Sequence, residues 1–465
     1  MSFCTHTRAR RAASACPAST CPASAHPVRP AQFVWGLALG LMGLAGLIGC
    51  GGGSTTSDTA AASYRISGSV VGLTTGGLVL SNAGSTIGVA AGADRFAFDT
   101  SFTGSYRVTV LAQPDGQTCS VRSPGGSGGA DVTAMQVVCR GYAAYVAHED
   151  SQTLAQFSVA EDGSLTAMAA PTLALTYQPA GLVLRGDGAF AWLRYGNHRQ
   201  VTALAADAVS GALSLVGHAP SYSAGYGLAL HPELDVLYSA DYGGAALSQF
   251  SLDSRGLPVA MTVPRLAADI NPKAVTVSPD GAWVFVANAS SESVSQYSVG
   301  SSGALAIPTL PTVASVSLAA YGSGPSALAV DPTGSRLFVL LEGSHRLLQY
   351  GIGNSGLSYE RRVATGSQPV ALVVTPDGAH AFVANRGDNS LTMFTLAGGA
   401  VTSLGPLATC STPTALAVSP DGRHLYVACA GDDTVQRYAI ASDGLLTAAG
   451  SVASGGQGPS AIAVR

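Results

Sequence analysis

Residues 285–297 read FVANASSESVSQY. A hydrophobic run ends on Asn288, Val294 follows six residues later, and Tyr297 stands three beyond that. The same frame occurs seven times, led by His148, Tyr195, Asp241, Asn288, Leu341, Asn385 and Cys429. The Val or Leu six residues on is Leu154, Val201, Leu247, Val294, Leu347, Leu391 and Val435 in turn. The next marker is Phe157, Leu204, Phe250, Tyr297, Tyr350, Phe394 and Tyr438. Both spacings hold without a gap in every copy, and the copies recur every 44 to 53 residues. A four-stranded propeller blade takes about 40 to 50 residues, so this period predicts radial repetition of one small sheet.

Ahead of each frame stands a second one: a proline, a short apolar run, and a tight turn seven residues on. Pro272 leads to Pro279-Asp280-Gly281, Pro325 to Pro332-Thr333-Gly334, Pro369 to Pro376-Asp377-Gly378, and Pro413 to Pro420-Asp421-Gly422. Pro179 leads to Gly186-Asp187-Gly188, while Gly225 takes the proline's place ahead of Pro232. Each blade is therefore predicted as an inner strand, a tight turn, a second strand, a loop, a third strand, and an outer strand after signals such as Gly163-Ser164-Leu165. The first copy has no inner strand, whereas residues 459–464 form one with nothing behind it. The tail strand is expected to complete the first blade and close a seven-bladed ring, which removes open sheet edges. A few extra residues between the fourth and fifth copies are expected within 307–324.

The chain has 465 residues, 47% of them hydrophobic and only 11% charged, with 57 glycines. That is a turn-dense all-β composition. Net charge is -4, but Arg8, Arg10, Arg11 and Arg29 precede Cys50 with no acidic residue among them. The remainder carries 19 basic against 27 acidic residues, which offers little to a phosphate backbone and excludes nucleic acid as an expected partner.

Residues 1–49 read as a leader. An Ala/Pro/Cys-rich preface occupies 1–27, which places the expected start near Val28, and an apolar run, FVWGLALGLMGLAGLIG, fills 33–49. Leu47-Ile48-Gly49-Cys50 resembles a bacterial lipobox, whose cysteine is lipidated and becomes the new N-terminus. Residues 50–63 are then a lipidated flexible tether. Resemblance to sorted lipoproteins implies an outer-membrane destination, with the membrane contacted through Cys50. Residues 64–140 read as a small β-sandwich-like domain, with half-buried strands at 64–70 and 106–110. Beyond Cys50 four cysteines remain, an even number suited to an oxidising compartment. Cys119 and Cys139 would staple the small domain, and Cys410 and Cys429 flank a strand–turn–strand and would bridge across it.

Residues 141–465 resemble the seven-bladed lactonase family of 6-phosphogluconolactonase type and the related YVTN-repeat surface propellers. The resemblance rests on Phe285-Val286-Ala287-Asn288, Phe382-Val383-Ala384-Asn385, Tyr426-Val427-Ala428-Cys429 and the Ser-Pro-Asp-Gly turns. Members of that family carry G-P-R-H at the start of one blade and N-E at the end of its second strand. Here the same positions read Asn271-Pro272-Lys273-Ala274 and Asn288-Ala289. The family's D-x-G-x-D-R reads Asp241-Tyr242-Gly243-Gly244-Ala245-Ala246. Because lactone hydrolysis needs a group to activate water and a cation for the oxyanion, the expectation is a non-catalytic module that binds a protein or glycan as a monomer. The alternative is a sugar-lactone hydrolase using Lys273, the chain's single lysine, with His148 or Asp241. The predicted ligand mouth comprises Lys273, Tyr226, His148, Asp241, Asn288, Asn385 and Arg386. The nine histidines lack ligand spacing, so no metal and no cofactor are expected.

Overall fold

The computed structural model describes residues 62–208, 210–306, 315–354 and 356–465. The leader, Cys50 and nearly all of the tether lie outside them. Among the described residues no helix is long and apolar enough to cross a membrane.

The small domain is all strand. Ile66–Val71, Arg95–Ala97, Gln117–Arg122 and Val132–Gly141 form a four-stranded sheet, and Leu78–Asn82, Ser85–Val89 and Thr109–Ala112 form a three-stranded one. Both contribute to one apolar core containing Ile66, Leu80, Phe96 and Val137. Ile66–Val71 alternates buried and half-buried as its pattern predicts. The strand expected over 106–110 is instead broken at Val108, whose side chain is fully buried and whose N–H bonds the Pro124 carbonyl. The break lets Ser105–Arg107 pair with Gly125–Ser127 while Thr109–Ala112 pairs in the three-stranded sheet. Cys119 and Cys139 are directly opposed across two paired strands and form a disulfide. Val132–Gly141 runs straight into the next domain's first strand, Ala143–His148.

Seven four-stranded antiparallel sheets follow. Blade four shows the plan: inner strand Pro272–Val277, second strand Trp283–Asn288, third strand Ser293–Val299, and an outer strand in two pieces, Leu305–Ala306 and Ser315–Ser317. The extra residues interrupt that outer strand, and 307–314 lie outside the described set. The ring closes as expected: Pro459–Val464 pairs antiparallel with Ala143–His148 and completes blade one.

The repeated residues are the mortar. All seven positions six past the lead are fully buried, and so are, within a few per cent, all seven aromatic or leucine positions three further on. The Pro-Asp-Gly turns hold themselves shut locally. Asp280 accepts from the Ser278 hydroxyl and the Ala282 N–H (3.0 Å), and Asp377 does the same for Thr375 and Ala379. The glycine then takes a left-handed conformation, with φ 71° at Gly281 and 70° at Gly378. In four blades the glycine signal before the outer strand serves the neighbouring blade. Tyr145, Trp192, Tyr238 and Tyr426 donate to the carbonyls of Gly211, Gly256, Gly303 and Gly163 at 2.6–2.8 Å. Gln156 and Gln249 accept from the N–H groups of Leu213 and Leu305, again one blade on. The Tyr426–Gly163 bond joins blade seven to blade one, so ring closure is hydrogen-bonded on both the inner and outer radii.

Candidate functional site

A cavity of about 340 Å³ opens at the propeller axis, lined by Glu149, Ala180, Tyr226, Tyr242, Lys273, Glu342, Val370, Arg386, Thr414 and Ser460. Two rings of sequence positions supply nearly all of it. The first is the residue after the proline that begins an inner strand. In six blades the register slips there by one residue: Pro272 pairs with Asn288 and Ala274 with Ala287, leaving Lys273 unpaired in a β-bulge. The same slip frees Ala180, Ser326, Val370, Thr414 and Ser460. A bulge re-aims a side chain, and here it turns five of the six into the mouth. Ser326 instead lies buried, its hydroxyl donating to the Pro369 carbonyl at 3.2 Å. Thr414 and Ser460 make matching bonds to the carbonyls of Pro459 (2.6 Å) and Pro179 (2.7 Å), tying each inner strand to the next. In blade three Gly225 replaces the proline because a Cβ there would lie 2.0 Å from the Ala240 carbonyl oxygen, and Tyr226 follows it into the cavity.

The second ring is the residue after the lead position in four of the seven blades: Glu149, Tyr242, Glu342 and Arg386. Successive strand side chains point to opposite sides. The lead residue is therefore packed inward, and its successor meets the axis. His148, Asp241, Asn288 and Asn385 are all fully buried, not part of the mouth. They tie the second strand to the third. Asn288 donates to the hydroxyls of Ser293 (3.1 Å) and Ser295 (2.9 Å), and Asn385 to Ser390 (3.0 Å) and Thr392 (2.9 Å). His148 Nδ1 sits 3.4 Å from the Thr153 hydroxyl, and burial lowers its pKa, which keeps it neutral. Asp241 forms a buried ion pair with Arg194 at 2.8 Å and accepts from Ser248. Desolvation pushes the Asp241 carboxyl up and pulls Arg194 down to about 10, and the attraction between the two groups opposes both shifts.

Lys273, Tyr226 and Arg386 are thus brought together as predicted positions, joined by residues the sequence reading passed over. Glu342 is the organising group: one carboxylate oxygen accepts from Lys273 Nζ at 2.9 Å and the other from Arg386 at 3.1 Å. Glu149 is exposed at the cavity and enters no ion pair among the described residues. Tyr226 and Tyr242 meet edge to face, ring centroids 5.3 Å apart and planes at 87°. Burial raises the Tyr226 phenol, with Tyr242 and Glu149 adding to the effect, so it stays protonated and able to donate. The signal for Glu149 and Glu342 was available. Arg386 already stands one residue past a lead position, and the same position in blades one and five carries the two acids.

The profile of the seven-bladed β-propeller lactonases matches residues 136–464. The chain belongs to that lactonase family. Similar solved structures agree on the fold. A Bacteroides uniformis protein assigned as a 6-phosphogluconolactonase aligns with TM-score 0.62 and 20% identity, covering 70% of this chain and 99% of its own. The periplasmic gluconolactonase of Pseudomonas aeruginosa aligns with TM-score 0.58 and 21% identity, covering 70% and 98%. No curated protein sequence matches significantly. Within this lactonase-family propeller the acidic residues of the loops at 386–388 and 431–433 are structural: Asp388 and Asp432 accept from the Ser367 (2.9 Å) and Ser411 (2.7 Å) N–H groups, and Asp433 from Gly458 (2.7 Å). Among the described residues no group of three or more His, Cys, Asp or Glu side chains is placed to hold a metal. Cys410 and Cys429 form the second disulfide, so in blade seven a covalent bond occupies the lead position that in five other blades makes a strand-tying hydrogen bond.

Proposed function

We propose that the chain is a sugar-lactone hydrolase working at the axial mouth. The reading rests on one observation, the Lys273–Glu342–Arg386 cluster beside an uncommitted carboxylate, Glu149. In this scheme Glu149 takes a proton from water as the water oxygen attacks the lactone carbonyl carbon. The negative charge that develops on the carbonyl oxygen is met by Lys273 and Arg386, both held by Glu342. The ring C–O bond then breaks, and the leaving alkoxide recovers the proton to give the open hydroxy acid. A positioned base contributes about 10² to 10⁴ in rate, and an oxyanion partner about 10² to 10³. Family membership favours this reading, and so does the return of a carboxylate to Lys273 from the neighbouring blade although Ala289 offers none. The pairing of Lys273 with His148 or Asp241 is dropped, because both lie buried away from the cavity.

The non-catalytic alternative retains one supporting feature, the alanines at 274 and 289, and predicts saturable binding of a glycan or protein without turnover. We further propose export to the envelope on a lipidated Cys50, as a monomer, a reading supported by the two disulfides and the lipobox-like sequence. Acid release from a sugar lactone, followed by pH-stat against the spontaneous rate, tests the catalytic reading. Lys273→Ala and Glu149→Gln should each lower kcat/KM about 10²-fold without changing the melting temperature. A rate equal to the spontaneous one would refute hydrolysis.

A further inference from the structure

The mouth carries its own charge balance, and that balance discriminates between substrates. Its charged lining consists of two cations, Lys273 and Arg386, and two carboxylates, Glu149 and Glu342. Glu342 engages both cations, with one oxygen on each. Among the described residues no further cation lines the cavity. A phosphate ester entering here would have to displace Glu342 from its two partners and would face Glu149 as well. Like charges gathered in one partly desolvated site disfavour the charged state.

What the mouth does offer suits an uncharged polyhydroxylated ring. The carboxylate of Glu149 accepts from hydroxyl groups, and the protonated Tyr226 phenol donates. The Thr414 and Ser460 hydroxyls already donate to backbone carbonyls and so face a ligand as acceptors. The edge-to-face Tyr226–Tyr242 pair supplies an apolar wall for the C–H face of a sugar, and Tyr226 is 38% exposed to receive it. We infer that the site selects neutral, non-phosphorylated sugar lactones, and that Glu342 determines this specificity by occupying the two cations a phosphate would need. The inference rests on the hydrolase reading for its turnover assay but not for its binding assay.

The test compares glucono-1,5-lactone with its 6-phosphate as substrates of the full-length protein. In parallel, calorimetry compares the hydrolytically stable gluconolactam with its 6-phosphate. The neutral member should be favoured at least tenfold in kcat/KM and in affinity. Glu342→Gln, which releases Lys273 and Arg386, should move both ratios at least tenfold toward the phosphate ester, with the circular dichroism melt confirming that the variant is folded. Preference for the phosphorylated member in either assay by the wild-type protein overturns the inference and leaves hydrolysis standing. Selective binding of the neutral lactam without any turnover upholds the inference and overturns the hydrolase reading instead. Failure to bind either lactam overturns it as well.

Discussion

Asp241→Ala separates a ligand-contacting residue from a structural one. Asp241 and Arg194 are both inaccessible to solvent and 2.8 Å apart. Arg194 also donates to the Ser221 hydroxyl at 2.6 Å, the Gln200 carbonyl at 3.1 Å, and the Ser223 carbonyl. Removing the carboxylate leaves a guanidinium in the blade interior with only neutral acceptors around it. Breaking a buried pair from one side costs about 3–5 kcal/mol. Unfolding entropy is about 2.1 cal/mol/K per residue, so a propeller of roughly 325 residues should lose about 4–7 °C in Tm. The apolar double variant Arg194→Met, Asp241→Leu should recover most of that loss, because neither charge is then stranded. A circular dichroism melt reads the first quantity, and a pH-stat assay at 25 °C reads the second. With the fold intact, kcat/KM of the single variant should stay within a factor of about three of wild type. An unchanged Tm together with lost turnover would refute the assignment and return Asp241 to the mouth.

Two further outcomes follow from the same geometry. His148 is buried and its pKa lies below the ordinary 6.5. As pH falls through 6.5 the unfolded chain therefore binds more protons than the folded one, and stability declines, by at most about 1.4 kcal/mol per pH unit. In urea titrations His148→Asn, which installs the residue found at two other lead positions, should flatten that decline between about pH 6.5 and 5; an identical slope in both proteins would contradict it. Deleting residues 459–465 should expose the whole edge of Ala143–His148 and shift the protein toward larger species or aggregate on size exclusion relative to wild type. A monomeric deletion variant with the wild-type melt would show that the tail strand does not close the ring.

The period, the strand order, the closing tail and both cysteine pairs could be read from the chain because each depends on local rules. Alternation sets which positions are apolar, Pro-Asp-Gly-type turns punctuate the strands, and a lone inner-type strand at one end matches its absence at the other. Lys273, Tyr226 and Arg386 could be placed at the mouth from the chain, whereas the four polar lead residues stand one position away from it. Asn288, Asn385, Asp241 and His148 look like ligands because polar residues at strand ends so often are, yet the strand's alternation packs them inward and presents their successors to the axis. The bulge after each inner-strand proline had no signature beyond the proline itself, although it decides that Lys273 faces the cavity. Glu342 stands 69 residues from Lys273 in the chain. Only the closing of the ring, which brings neighbouring blades to one axis, made their contact and the charge balance of the mouth a property of this protein.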